Sequence, residues 1–528
     1  MSVLSVGFGD SASVDTGDIT KSLRFRSSGS THLSRTFGTS TNDIKWAFSF
    51  WIKNGTLGVT NPIFSAGDGT ASNYFSMERT SGNLLRVVVV YGGVTTLDCS
   101  TTAVFRDPTG HTQFLLYFDS ANATSTDRLQ LWQAGDGSNQ SGKRLTLTYT
   151  TGPIGINEPS IASWSAVVHY IGRLRYTATY GDMYLSRICF FDNSLPAMTA
   201  LGYYNTEINE WVPKTRSEVK SVVDAAGASS FMLEFEDGTS LTTLGNDYSA
   251  KNNDWTLTNH SLTAGVTYDW MEDRPGNSYA VLNPLYPSAA NITNGNLSSG
   301  TTAARATMNS TAIDSQWFVT AGASAVTAGV IDDSGSTNTT TVTANKVFGF
   351  KMTAAGALSY KNVTDAGSWT SIATGLTGNR WPYSVTQAAS WNFGQQPLPE
   401  ALDTGFLALC QANLPDGAVR NPKKHFDVKT FTAVSSGGSV TGLEFSPEAV
   451  FGKNRASVEN WYQIDKVRGG DRLLASNTTA AEATNANLIT AWNADGYTYG
   501  NALHASANYV DACWKANGAA VSNTDGTI

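Results

Sequence analysis

Apolar and polar residues alternate with a period of two along most of this chain. Ile44–Lys53 reads IKWAFSFWIK, with Ile44, Trp46, Phe48, Phe50 and Ile52 on one face and Lys45, Ala47, Ser49, Trp51 and Lys53 on the other. Successive side chains of a strand point to opposite faces, so this pattern predicts a half-buried strand. Shorter β-rich runs recur at Leu84–Tyr91, Gln113–Asp119, Leu129–Trp132, Thr146–Thr150 and Met183–Asp192. Between them stand turn signals: GDG at Gly67, YGG at Tyr91, GDG at Gly135 and YGD at Tyr180. Strands at this spacing with no helical pattern between them predict an all-β protein built of tandem antiparallel sandwiches. Only Ser217–Ala226 and Pro196–Tyr204 predict helices, of two or three turns each. No heptad repeat occurs, so no coiled coil within the chain would hold an oligomer.

Changes of texture divide the 528 residues. Residues 1–20 form a small-residue arm, 21–215 a first β module, and 216–285 a connector that packs on it. Residues 286–420 form a second β module, rich in Thr, Ala and Ser, and 421–528 a third. Charged residues make up 15% of the chain, and 43 acidic against 35 basic residues give a net charge of −8. That balance argues against nucleic-acid and anionic-membrane partners, which require a basic footprint. Apolar residues reach 41% and aromatic residues 11%, enough to offset the entropy of ordering, so disorder is excluded. The densest apolar stretch, Leu84–Tyr91, contains Arg86 and falls far short of the ~20 residues that span a bilayer, so no membrane insertion is expected. The opening MSVLSVGFGDSASVDTGDIT has neither the basic nor the apolar region of a secretory signal, which predicts assembly in a cytoplasm. The N-x-S/T triplets at Asn54, Asn122, Asn291 and Asn477 are then compositional. Cys99, Cys189, Cys410 and Cys513 lie far apart, so no zinc or redox motif exists and they read as buried thiols.

Candidate chemistry is sparse. GSNQSGKR at Gly137–Arg144 approaches a phosphate loop, but Arg144 replaces the magnesium-binding hydroxyl and the alternating LTLTYT follows where a helix is required, so it reads as a hairpin loop. Glu234, Glu236 and Asp237 in MLEFEDG offer paired carboxylates, the chemistry of glycoside hydrolysis, yet a solvated acidic hairpin is the simpler reading. Asp365–Trp369 (DAGSW) is a turn beside a core tryptophan. Asp68, Asp136 and Asp182 lie in Gly-rich turns, where turn chemistry outweighs cation binding. No catalytic residue, metal ligand or cofactor is expected. Trp132, Tyr180, Trp381, Tyr383 and Trp391 stand beside Gly, Pro or Asp, where a flat ring can cover the C–H face of a sugar; filling the core is the competing role.

Several ordered segments carry a resemblance. ITKSLRF at Ile19, HLSRTF at His32, WAFSFWIK at Trp46, IFSAGDG at Ile63, TTAVFRDPTG at Thr101, HYIGRLR at His169 and GDMYLSRICFFDNSLP at Gly181 resemble tailed-phage tail proteins with an N-terminal concanavalin A-like, laminin-G-type jelly-roll domain. Trp211-Val-Pro-Lys, TLGNDYSAKNNDWT at Thr243 and SLTAGVTYDWMEDRP at Ser261 resemble that family's connector. WNFGQQP at Trp391 and GFLALCQANLP at Gly405 resemble a SPRY-like sandwich. HFDVKTFT at His425, NWYQIDKVRGGDRLLASNTTAAE at Asn460, WNADGYTYG at Trp492 and YVDACWKA at Tyr509 resemble a tail-fibre repeat unit, and the closing SNTDGTI reads as the start of a further strand.

The resemblance implies a virion protein of a tailed phage, with no catalytic residues. What it implies is a tail-fibre or receptor-binding component, expected to attach to host-surface polysaccharide or lipopolysaccharide and to have other tail proteins as partners. Repeated display turns weak sugar contacts into avidity, and a homotrimer is the expected assembly. The alternatives are a capsid decoration or head-fibre protein without a receptor, and a polysaccharide depolymerase.

Overall fold

The computed structural model describes residues 19–38, 42–136, 138–206, 208–287, 291–385, 388–415 and 422–516. Most of the 1–20 arm, Gly137 of GSNQSGKR and the closing SNTDGTI lie outside them. The fold is all-β, made of antiparallel sheets with few short helices. It divides into two compact units, Met1–Asp416 and Gly417–Ile528.

The first unit contains two sandwiches. In the first, two eight-stranded sheets face each other. One sheet runs Lys143–Arg144, Leu129–Gln133, Thr112–Asp119, Lys45–Asn54, Met183–Asp192, Ser22–Phe25, Trp270–Met271, with Phe231–Leu233 also paired to Met183–Asp192. The other runs Leu147–Thr151, Val94–Thr101, Leu85–Tyr91, Tyr74–Arg79, Asn61–Gly67, Val168–Ile171, His32–Thr36, Thr256–Thr258. Between them lies an aromatic core that includes Trp46, Phe48, Phe50, Phe64, Phe75, Phe114, Phe118 and Phe190. The indole N–H of Trp46 donates to Ser160 Oγ at 2.6 Å, which satisfies its one polar group inside that core.

IKWAFSFWIK forms the strand Lys45–Asn54, but it is not half-buried: every residue from Trp46 to Lys53 is buried. The face read as polar is roofed over. At one end the helix Arg216–Asp224 and the pair Gly202–Asn205 with Glu210–Pro213 cover Ala47, Leu115, Cys189 and Phe191. At the other end Tyr184 joins the core of the second sandwich.

The helix expected over Ser217–Ala226 is present. Thr215 starts it through a reciprocal capping box with Glu218, which satisfies amide donors at its N-terminus. The helix expected over Pro196–Tyr204 is not. One 3-10 turn at Met198–Ala200 gives way to the strand Gly202–Asn205, because Gly202 disfavours helix and the paired tyrosines favour extended backbone. GSNQSGKR ends in Lys143–Arg144, paired back onto Trp132 and Gln133 as a hairpin.

The second sandwich sets a six-stranded sheet against a four-stranded one, around Trp317, Val319, Val330, Phe350, Leu358 and Trp391. Its core also takes Tyr268, Met271 and Ala280–Leu282 from the segment read as connector. The unit Gly417–Ile528 is a smaller sandwich of six- and three-stranded sheets around Val450, Ile464, Tyr497 and Tyr509. All four cysteines are free and buried. No helix among the described residues is long and apolar enough to cross a membrane.

Candidate functional site

With one sheet of the first sandwich covered, the outer face of the opposite sheet is where polar and aromatic groups gather. Leu33, Ile171, Phe64, Phe75, Met77, Val87 and Leu97 point from that sheet into the core. The alternate positions therefore point outward. Tyr170 lies directly opposite Ser34 and Ser65, Ser65 opposite Ser76, and Ser76 opposite Val88. Across this face runs the segment 172–181, fastened by Ser65 Oγ donating to the Arg173 carbonyl at 2.7 Å and by Arg175 Nε donating to the Gly67 carbonyl at 3.0 Å. It leaves the sheet through Gly172, whose φ of +79° is left-handed and whose absent side chain makes room for Phe25.

The segment builds a strip of half-buried aromatic and basic groups. The Arg173 guanidinium sits 4.6 Å from the Tyr170 ring centre and 5.6 Å from that of Tyr180. Its Nε has no hydrogen-bond partner among the described residues. His32 meets both tyrosines, at 5.4 and 5.6 Å, and burial lowers its pKa, which keeps the imidazole neutral. Arg175 lies 5.7 Å from Tyr170. Beside them the Tyr74 and Tyr176 rings meet at 4.2 Å, tilted by 35°, and burial pushes the Tyr176 hydroxyl up to about 12. Arg86 grips Asp98 in a two-pronged pair at 2.8 and 2.7 Å and reaches Glu78 at 3.2 Å. Burial raises the Glu78 carboxyl against the pull of that arginine.

Of the aromatics singled out in the sequence, only Tyr180 belongs to this strip. Trp132 is half-buried on the covered face of the opposite sheet, against Tyr117, with its indole N–H donating to Gln130 at 3.1 Å. Trp381 and Tyr383 are buried on the outer side of the four-stranded sheet, under Tyr286 and Arg305. Trp391 is 1% exposed in the second core, stacked on Phe393, and offers no face to a ligand. A Gly or Pro neighbour does not expose a ring when the strand that carries it is covered on both faces. Tyr74, Tyr170, Tyr176, Arg173 and Arg175 were not singled out. For all but Tyr74 the signal is the interleaving of aromatic and basic residues in HYIGRLRYTATYGD. A second aromatic face escaped as well: Phe426 beside Trp514 at 5.1 Å and Phe451 stacked on Trp461 at 5.0 Å, on the outer side of the six-stranded sheet of Gly417–Ile528.

The carboxylates resolve differently from a solvated hairpin. Glu234 is buried and accepts from Arg187 Nε at 2.6 Å, and Glu236 pairs with Arg216. Asp68 and Asp136 cap their own turns through Thr70 and Asn139. Asp182 is buried and accepts backbone amides from Thr56, Asn294 and Gly295 at 2.7–3.2 Å, which binds the two sandwiches together. Among the described residues no group of three or more His, Cys, Asp or Glu could hold a metal ion.

Residues 421–528 match a family model described as a domain of unknown function, DUF7483. No curated protein matches the chain. Among solved structures, it is similar to the laminin alpha1 LG4-5 domains of mouse, at 9% identity over 76% of this chain and 89% of that one, with a TM-score of 0.26. A putative carbohydrate binding protein from Bacteroides ovatus matches at 14% identity over 46% of this chain, with a TM-score of 0.28, and this chain spans 58% of its length. Tailspike protein 2 of the Escherichia coli O157:H7 bacteriophage CAB120 matches at 11% identity over 33% of this chain and 23% of that one, with a TM-score of 0.24.

Proposed function

We propose that this chain is a structural component of a tailed-phage virion, a tail-fibre or receptor-binding protein, that attaches to host-surface glycans through the outer face of its first sandwich. The observation that carries the glycan reading is the strip of Tyr74, Tyr170, Tyr176 and Tyr180 interleaved with Arg173 and Arg175. A half-exposed ring covers the apolar face of a pyranose, while its hydroxyl and its neighbours bond the sugar hydroxyls. A guanidinium recognises carboxylate or phosphate in a planar, two-pronged way. Together they favour an acidic polysaccharide or the phosphorylated part of lipopolysaccharide. The phage assignment is supported by the ordered segments from ITKSLRF to YVDACWKA. Binding rather than catalysis is supported by Glu234 and Glu236, each neutralised by an arginine.

The test is adsorption. The purified full chain is expected to bind host cells or extracted lipopolysaccharide saturably and to compete with phage adsorption. Absence of saturable binding, or release of reducing ends from the polysaccharide, would overturn the binding reading. Immunogold labelling of virions tests location: label on the tail fits the proposal, and label on the head makes the chain a decoration protein.

A further inference from the structure

The junction of the two sandwiches holds a buried group that glycan binding does not use. Lys53 lies on the roofed face of the first sheet, opposite Tyr184. Its Nζ is 2.6 Å from Asp273 Oδ2 and donates to the Tyr279 carbonyl at 2.8 Å. Both side chains are fully buried. Two other buried acids, Asp269 and Glu234, pair with arginine. Lysine's primary amine, unlike the delocalised guanidinium, is a nucleophile toward a carboxyl carbon.

The second oxygen of Asp273, Oδ1, has no hydrogen-bond partner among the described residues. His111 stands beside it, fully buried, with Nδ1 at 3.8 Å and neither ring nitrogen hydrogen-bonded to a described residue. Burial holds His111 well below the ordinary imidazole range, so the ring is neutral and carries a free lone pair. Burial also pushes the Asp273 carboxyl up despite the nearby ammonium. Two ions taken out of water need every lone pair and proton satisfied, and Asp273 Oδ1 is not. With one proton moved from Nζ to Oδ1, the oxygen beside His111, a neutral amine faces a neutral acid whose hydroxyl is the group that leaves.

We propose that Lys53 and Asp273 join in an amide bond, with His111 moving the proton. Nζ attacks Cγ of Asp273 and the C–N bond forms. The Cγ–Oδ1 bond breaks, and the imidazole takes a proton from the attacking nitrogen and delivers it to the departing oxygen. The amine gives up one hydrogen, the acid gives up its hydroxyl, and one water leaves. No oxidant or cofactor is required. The closed interior then shields the amide from hydrolysis. The link spans 220 residues of sequence. It ties a central strand of the first sandwich to the point where the chain passes into the second. With all four cysteines free, it braces the unit covalently without a disulfide. This inference is independent of the glycan reading.

The experiment is mass spectrometry of the purified full chain under denaturing conditions. The expected mass is one water below that of the sequence, and a digest should yield a branched peptide carrying Lys53 and Asp273. Lys53→Arg should restore the full mass. Asp273→Asn should still link, losing ammonia in place of water. His111→Gln is expected to fold, judged by an unchanged near-ultraviolet circular dichroism spectrum, but to link roughly 10²-fold more slowly. Recovery of Lys53 and Asp273 in separate, unmodified peptides from the unmutated chain overturns the bond. Linking of His111→Gln at the parental rate overturns the histidine's role.

Discussion

Tyr184 reaches out of the first sandwich and donates its hydroxyl to the Gly295 carbonyl of the second, 2.7 Å away, with its ring closed over the glycine. Gly295 has a φ of +70°, and a Cβ there would lie 2.6 Å from the ring. Gly295→Ala therefore combines backbone strain with overpacking and should cost about 1–3 kcal/mol. Tyr184→Phe keeps the ring but leaves a buried carbonyl unpaired, a loss of about 1–2 kcal/mol. Calorimetry of the full chain should show a lower melting temperature for both. An unchanged melting temperature for Gly295→Ala would mean that the two sandwiches do not meet at this point.

Short apolar runs mark strands in the sequence: those at Leu84–Tyr91 and Gln113–Asp119 fall on Leu85–Tyr91 and Thr112–Asp119. Strands covered on both faces mislead, since Lys53 looks like a solvent position and is buried against Asp273. Within 286–420, marked in the sequence chiefly by its Thr, Ala and Ser, lie the strands Ser315–Ala321, Val326–Ile331 and Thr337–Val342. Thr, Ala and Ser give little contrast between inside and outside, and only cross-strand pairing reveals these elements. The site was legible at Tyr180 alone. Tyr176 lies in the same segment as Tyr180, but Tyr74 comes from a strand about 100 residues earlier, and no local pattern links it to them.

The Arg187–Glu234 pair offers a stability test that also bears on catalysis. Removing one member of a buried pair strands the other charge, so Glu234→Ala should destabilise by about 3–5 kcal/mol. Arg187→Met with Glu234→Leu removes both charges and should recover much of that loss. Urea unfolding followed by tryptophan fluorescence reads the difference. A pair of equally mild single variants would show that Glu234 is solvated after all.

Asp511 and His504 give the unit Gly417–Ile528 two opposing pH dependences. Asp511 accepts the hydroxyls of Tyr462 and Tyr497, and burial pushes its carboxyl up to about 6 from 3.8. The Tyr462 proton goes to that carboxylate, so His504 Nε2, 2.8 Å from the same hydroxyl oxygen, must carry its own proton and donate. Burial lowers His504 to about 4 from 6.5. A raised folded-state carboxyl contributes stability that is complete below 3.8 and lost as pH rises to about 6. A lowered folded-state histidine contributes stability that is complete above 6.5 and lost as pH falls to about 4. Each is on the order of 3 kcal/mol, so they nearly cancel in the parent. Between pH 6 and 4, Asp511→Asn should lose stability relative to the parent as pH falls, and His504→Gln should gain it. Denaturation midpoints across that window would reject the account if both variants tracked the parent.

The glycan strip predicts a separation of affinity from stability. Tyr170 and Arg173 are half-buried and serve no core, so Tyr170→Ala and Arg173→Ala should leave the melting temperature nearly unchanged. Loss of one stacked ring is worth about 0.5–1.5 kcal/mol, or roughly 2- to 12-fold in Kd for lipopolysaccharide. Arg173→Ala should also flatten the salt dependence, because an exposed guanidinium–anion contact is screened as ionic strength rises. Trp391→Ala should do the reverse. Its ring is in the second core, so truncation leaves a cavity and costs about 3–5 kcal/mol, while the folded fraction keeps the parental Kd. Isothermal titration beside thermal melts would decide it: a Trp391 variant that folds normally but loses binding places the receptor site in the second sandwich, and the strip on the first would then be a structural surface.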